Sequence, residues 1–311
     1  MVSIREVGPR DGFQNEPEVI ATDDKVRLVE MLARTGLRRL EVTSFVRADV
    51  IPQLADGAEV LRRAEIPDEV AVSVLIPNER GLDNALVLRE RGPKHPARPG
   101  ARDSLFDEVN LFLSASETHN RKNVNRSIEE SLTGLERVVE RARAEGLRCE
   151  GVISVAFGCP YEGHVPRDRV RAIAERLVAA GCEEIAFGDT TGMANPIQVG
   201  QFFDGLDLGV ELTAHFHNTR GQGLANVVAA LGAGVRSFES SFGELGGCPV
   251  PPGATGNIAS EDLVSMLHEM GEDTGIDLER LVACAREAQR MLGRPLGSHV
   301  LTAGPVDWHR G

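Results

Sequence analysis

Val210-Glu211-Leu212-Thr213-Ala214-His215-Phe216-His217, with Gly221, Gly223 and a helix-like run over 224–231 behind it, decides how this chain folds. A short apolar run ends in His-x-His and passes through glycines into a helix, which is one β–α unit. Side chains along a strand alternate between faces, so His215 and His217 project together from the strand's end. Two neutral imidazoles placed there suit a divalent metal. The plainer alternative is a pair of polar residues capping a strand and bonding nearby backbone. The other strand ends decide between them.

The same unit recurs along the chain. Strands are expected at 3–7, 39–43, 70–76, 108–113, 148–156, 184–188, 211–217 and 237–241. Helices are expected between them at 24–35, 54–64, 79–91, 128–145, 167–180, 196–206 and 221–234. Gly36, Gly146, Gly181 and Gly234 stand where helices should stop in the left-handed conformation. Eight β–α alternations predict an α/β fold, a (β/α)₈ TIM barrel, as one catalytic domain over 1–311. Extra C-terminal helices are expected from about residue 260, at 260–270 and 277–292. The rival is an open doubly wound sheet, but no Gly-x-Gly-x-x-Gly follows the first strand. Gly92 to Gly100 is a Pro- and Gly-rich stretch that reads as an inserted loop on the barrel's bottom, away from the chemistry.

Composition excludes several classes of function. A net charge of −13 argues against nucleic acid or an anionic membrane as the main partner. No apolar run reaches the roughly 18 residues of a membrane span. The first residues already read as a strand, so no signal peptide is expected. The 5 cysteines are an odd number at wide spacings, which fits reduced thiols in a cytoplasmic protein.

In a barrel, chemistry sits where strands end. After the first strand, Gly8-Pro9-Arg10-Asp11-Gly12 reads as a fixed turn. Asp11 could complete a metal site with the imidazoles, and Arg10 could hold an oxyanion in its planar fork. The alternative is an Arg10–Asp11 ion pair closing the barrel's top. Glu41, in an otherwise apolar strand, either points inward toward a cation or stands on the exposed face, since alternation alone allows both, with Ser44 nearby as a supporting residue. Asp189 could hold a histidine or a metal-bound water, or cap the following helix. After the eighth strand a glycine-rich loop carries Cys248 between Gly247 and Pro249. A thiol on a flexible loop over a cationic site suggests proton transfer. Asn257 could add a neutral oxygen to the metal.

With these pieces assembled, the chain resembles the 3-hydroxy-3-methylglutaryl-CoA lyase family, over nearly its whole length. The most specific matches are Gly8-Pro9-Arg10-Asp11-Gly12, Phe157-Gly158-Cys159-Pro160-Tyr161-Glu162-Gly163, His215-Phe216-His217-Asn218-Thr219, Gly246-Gly247-Cys248-Pro249 and Gly253-Ala254-Thr255-Gly256-Asn257. The resemblance implies a divalent metal, Mg²⁺ or Mn²⁺, bound by Asp11, His215, His217 and Asn257. It implies that Arg10 stabilises an enolate, that Cys248 transfers a proton, and that Glu41 and Asp189 support the site. It implies retro-Claisen cleavage of an acyl-CoA substrate to acetyl-CoA and acetoacetate, with His217 or Asp11 taking the alcohol proton, in a homodimer.

Some residues depart from the family's pattern. Val250-Pro251-Pro252 replaces an aromatic-containing stretch, and Phe242 and Glu244 replace small residues. Arg47-Ala48-Asp49 stands in place of a Ser-Pro-Lys stretch, and the Gly92 to Gly100 insertion is atypical. None removes a ligand or the thiol, so the departures bear on the acyl group rather than the reaction. Three alternatives follow: a lyase for a related 3-hydroxy-3-alkyl acyl-CoA such as citramalyl-CoA, an acetyl-CoA-condensing synthase (a transferase), and a non-catalytic acyl-CoA-binding barrel. Synthases usually lack the Gly-Gly-Cys-Pro loop and carry a further regulatory domain.

Overall fold

The computed structural model describes residues 1–91, 104–247 and 255–307. The strands are β1 (Ser3–Glu6), β2 (Arg39–Ser44), β3 (Ala71–Leu75), β4 (Glu108–Ser114), β5 (Arg148–Ser154), β6 (Glu184–Asp189), β7 (Glu211–Phe216) and β8 (Ser237–Ser240). All pair in parallel with their neighbours, and β8 returns to β1 to close a (β/α)₈ barrel, as the alternation predicts. Arg5 stands opposite Glu239 in the closing register.

The strands read as apolar because their outer faces are covered by helices. Leu40, Val42, Val72, Val74, Val109 and Leu111 are buried there. The lumen is different: it is filled with ions. Arg5 is fully buried and pairs with Glu108, Glu150, Glu184 and Glu239. Arg39 joins the same layer through Glu184 and Glu108. Buried charges survive only when paired and hydrogen-bonded, and this layer meets that condition under the catalytic mouth.

The helices that cover the barrel are α1 (Thr22–Leu32), α2 (Gly57–Arg63), α3 (Glu79–Arg91), α4 (Glu117–Val124), α5 (Ile128–Ala144), α6 (Arg167–Ala180), α7 (Pro196–Phe203) and α8 (Gly223–Gly232). The C-terminal helices follow as α9 (Ser260–Glu269), α10 (Leu278–Leu292) and α11 (His299–Ala303). Gly36, Gly146, Gly181 and Gly234 all take positive φ, as helix stops should. Three features depart from the sequence reading. α2 starts later, because Pro52–Leu54 forms a separate 3-10 turn. α4 and α11 were not expected. α4 has no apolar stripe; it forms because Ser116 caps its start and Asn125 ends it in the left-handed conformation. The Gly92 to Gly100 stretch lies outside the described residues. No helix among the described residues is long and apolar enough to cross a membrane.

Candidate active site

Gly8–Gly12 is a turn of π-helix rather than a simple loop. It is fastened from below by Glu6, whose buried carboxylate accepts from the Gly8 N–H at 2.7 Å. The tight winding presents Arg10 and Asp11 in succession over the barrel mouth. Arg10 donates from Nε to Glu41 at 2.6 Å and from Nη1 to Asp11 Oδ1 at 2.7 Å. The ion pair allowed from sequence is therefore present, within a larger cluster. Glu41 is fully buried and also accepts from Asn110 Nδ2 at 3.0 Å. Burial drives the Glu41 pKa up, and Arg10 opposes this only in part. Ser44 lies buried at the end of β2, its hydroxyl without a hydrogen-bond partner among the described residues.

β7 delivers the imidazoles as alternation requires. His215 and His217 are buried, with their Nε2 atoms 3.1 Å apart. One donor atom from each of Asp11, His215 and His217 lies within 4.8 Å of the others. Asn257 reaches them because 255–259 folds back onto the barrel top. His217 and Asn257 form an antiparallel bridge, and Ile258 N donates to Phe216 O at 3.1 Å. Asn257 Nδ2 donates to Asp11 Oδ2 at 2.8 Å, while its buried Oδ1 has no hydrogen-bond partner among the described residues.

Charge in this cluster is unevenly held. Burial pulls the His215 pKa down, but the hydrogen bond and charge of Glu239 outweigh it and raise the value. His217 is pushed down to about 3 by burial and by its neighbour His215. Burial alone would raise the Asp11 pKa; Arg10 and the two imidazoles lower it. Glu239 thus favours a proton on His215, burial disfavours one on His217, and Arg10 with the imidazoles favours the anionic form of Asp11. A carboxylate oxygen, two facing imidazole nitrogens and an unpartnered amide oxygen make a donor set that fits Mg²⁺, Mn²⁺ or Zn²⁺.

The chain is similar to known proteins over nearly its whole length. A family model described as HMGL-like matches residues 1–287. The chain belongs to the HMGL-like family. Among HMGL-like relatives, the hydroxymethylglutaryl-CoA lyase YngG of Bacillus subtilis is 44% identical, covering 96% of each chain. The (R)-citramalyl-CoA lyase of Chloroflexus aurantiacus is 43% identical, covering 98% of this chain and 95% of its own. An HMG-CoA lyase structure from Acinetobacter baumannii, in complex with coenzyme A and 3-methylmalate, superposes with a TM-score of 0.89 at 38% identity. The match covers 98% of this chain and 95% of that one.

Against this HMGL-like frame, two site expectations need comment. Among the described residues Asp189 hydrogen-bonds to neither histidine, although it lies close enough for His215 to act on its charge, and it does not cap α7. Its Oδ1 accepts from the Met193 and Ala194 N–H groups at 2.8 and 3.1 Å, holding the loop before α7, which Asn195 caps. Burial pushes Asp189 up to about 7. Cys248 lies outside the described residues. Sequence reasoning also missed Glu239, which accepts from His215 Nδ1 at 2.8 Å. The β7–β8 register, which sets His215 opposite Glu239, is what brings them together.

Proposed function

We propose that this chain is a divalent-metal-dependent carbon–carbon lyase that cleaves 3-hydroxy-3-methylglutaryl-CoA to acetyl-CoA and acetoacetate. The observation that carries the proposal is the convergence of Asp11, His215, His217 and Asn257 beside Arg10 at the barrel mouth. Relatives of that activity at 38–44% identity support it.

Asp11, His215, His217 and Asn257 would hold the metal. A bound Mg²⁺ or Mn²⁺ supplies Lewis acidity, lowering the pKa of the substrate's tertiary alcohol. The chain's own residues do the rest. His217, whose Nδ1 has no hydrogen-bond partner among the described residues, or Asp11 takes the alcohol proton. The bond to the thioester α-carbon then breaks, its electrons passing into the enolate of acetyl-CoA while the alcohol carbon becomes the ketone of acetoacetate. Arg10, braced by Glu41 and Asp11, meets the enolate charge; a preorganised donor of this kind contributes roughly 3–4 kcal/mol. Cys248 returns a proton to the enolate carbon.

Residues 1–311 act as one catalytic domain, working as a homodimer in the cytoplasm. The four described cysteines, Cys149, Cys159, Cys182 and Cys284, are buried and unpaired, which fits a reducing compartment. Light scattering at micromolar concentration tests the dimer.

The test of substrate is a panel assay for acetyl-CoA release from several 3-hydroxy-3-alkyl acyl-CoA thioesters with Mg²⁺ or Mn²⁺. The methylglutaryl thioester is expected to turn over fastest. Robust cleavage of citramalyl-CoA with none of the methylglutaryl thioester would favour the second reading, a citramalyl-CoA lyase, which the Chloroflexus relative at 43% identity supports.

A further inference from the structure

Under the histidines lies a line of buried charge that the reaction does not use directly. Arg5 Nη1 donates to Glu239 Oε1 at 2.9 Å, and His215 Nδ1 lies 2.8 Å from Glu239 Oε2. Glu239 is thus held between two groups, one oxygen for each. Both Arg5 and Glu239 are buried, and Arg5 is further fixed by Glu108, Glu150 and Glu184. A carboxylate against a guanidinium is anionic and offers only lone pairs. His215 must therefore keep a proton on Nδ1 to satisfy it. In the neutral ring that leaves Nε2 as a bare lone pair, facing His217 and Asp11. Among the described residues His217 has no such brace, its buried Nδ1 meeting no hydrogen-bond partner there.

We propose that Glu239, anchored by Arg5, is a positioning residue that fixes the tautomer and orientation of His215 so that Nε2 faces the metal. A glutamine here cannot do the same work. Arg5 and His215 both donate, and glutamine brings one acceptor oxygen and an NH₂ group. With its oxygen taken by Arg5, the amide donates to His215 Nδ1 and moves the ring proton to Nε2, where it blocks the ligand position. Aspartate keeps two acceptors on a shorter arm.

The metal half of this inference rests on the ligand reading above, whereas the tautomer half does not. The experiment uses imidazole-¹⁵N spectra of the full chain without metal, and calorimetric titration with Mn²⁺ alone. The parent is expected to show His215 protonated at Nδ1. Glu239→Gln is expected to move that proton to Nε2 and to weaken Mn²⁺ binding about 10–100-fold, the usual effect of losing a ligand's outer partner. Glu239→Asp is expected to retain most of both. Glu239→Ala, which leaves Nδ1 unpaired, serves if the glutamine variant does not fold. A folded Glu239→Gln or Glu239→Ala protein with unchanged His215 spectra and Mn²⁺ affinity within twofold of the parent overturns the proposal. So does a variant that loses only thermal stability. A parent that binds no Mn²⁺ overturns the ligand reading, and the spectra still decide the role of Glu239.

Discussion

Asp11 and Cys248 stand on opposite sides of the proposed reaction, one holding the metal and one moving a proton, and substitutions should separate them. Asp11→Ala and His215→Ala are expected to abolish Mn²⁺ binding in calorimetry, beyond the roughly 10–100-fold seen on losing an outer partner. Normal metal content and activity in Asp11→Ala would sink the ligand assignment. Cys248→Ser should lower kcat by about 10²–10⁴-fold, the range for a lost proton-transfer group, with Mn²⁺ affinity unchanged. Much of the cluster is legible in the sequence because the rules involved are local. Alternation pairs His215 with His217, and barrel chemistry sits at strand ends. Glu239 is not legible in that way. It is one of several glutamates within strands, and only the β7–β8 register sets it against His215.

Among the elements, the segments flanking the Cys248 loop matter most to the site. Gly246 has φ of 107°, and a Cβ there would lie 2.5 Å from Asn257 Nδ2 and 3.2 Å from Asp11 Oδ2. Gly247 has nothing among the described residues within 4 Å of the same position. Gly246→Ala is therefore expected to lose Mn²⁺ affinity and activity together, with roughly 1–3 kcal/mol of backbone strain added. Gly247→Ala should leave metal affinity near the parent's, and equal losses in both would count against the packing argument. The strands and long helices were legible because burial repeats at periods of 2.0 and 3.6. α4 was not, since Glu117–Val124 is polar except for its final Val124 and is held by its caps. The π-helical winding of Gly8–Gly12 was equally hidden, because its glycines and proline read as an ordinary turn.

At the level of the whole molecule, two buried carboxylates should make stability depend on pH. Glu261 accepts from the Gly243 N–H at 3.0 Å and is pushed up to about 8 by burial, with Glu6 adding to the rise. Glu6 itself is pushed up to about 7 by burial. The folded state binds these protons more tightly than the unfolded one. Their stabilising effect is complete below about 4.5 and is lost as pH rises through about 7 and 8. Calorimetry across that window should show the unfolding midpoint falling, by an amount corresponding to roughly 3–5 kcal/mol per group. Glu261→Gln should flatten the slope; a parent midpoint that rises over this window would contradict the assignment.

The pairing of β1 with β8 also dictates when the molecule can fold. Arg5 meets Glu239, 234 positions further along the chain, and Asp11 meets Asn257, 246 positions further along. Contacts so distant in sequence are slow to form. During synthesis Arg5 emerges early, yet its set of carboxylates is complete only once the strand carrying Glu239 has followed. The ionic layer thus acts as a late checkpoint: a nascent chain that collapsed before β8 would bury a guanidinium without a full set of carboxylates. Catalytic competence and barrel closure should therefore appear together in refolding, with no partly closed form able to hold the metal.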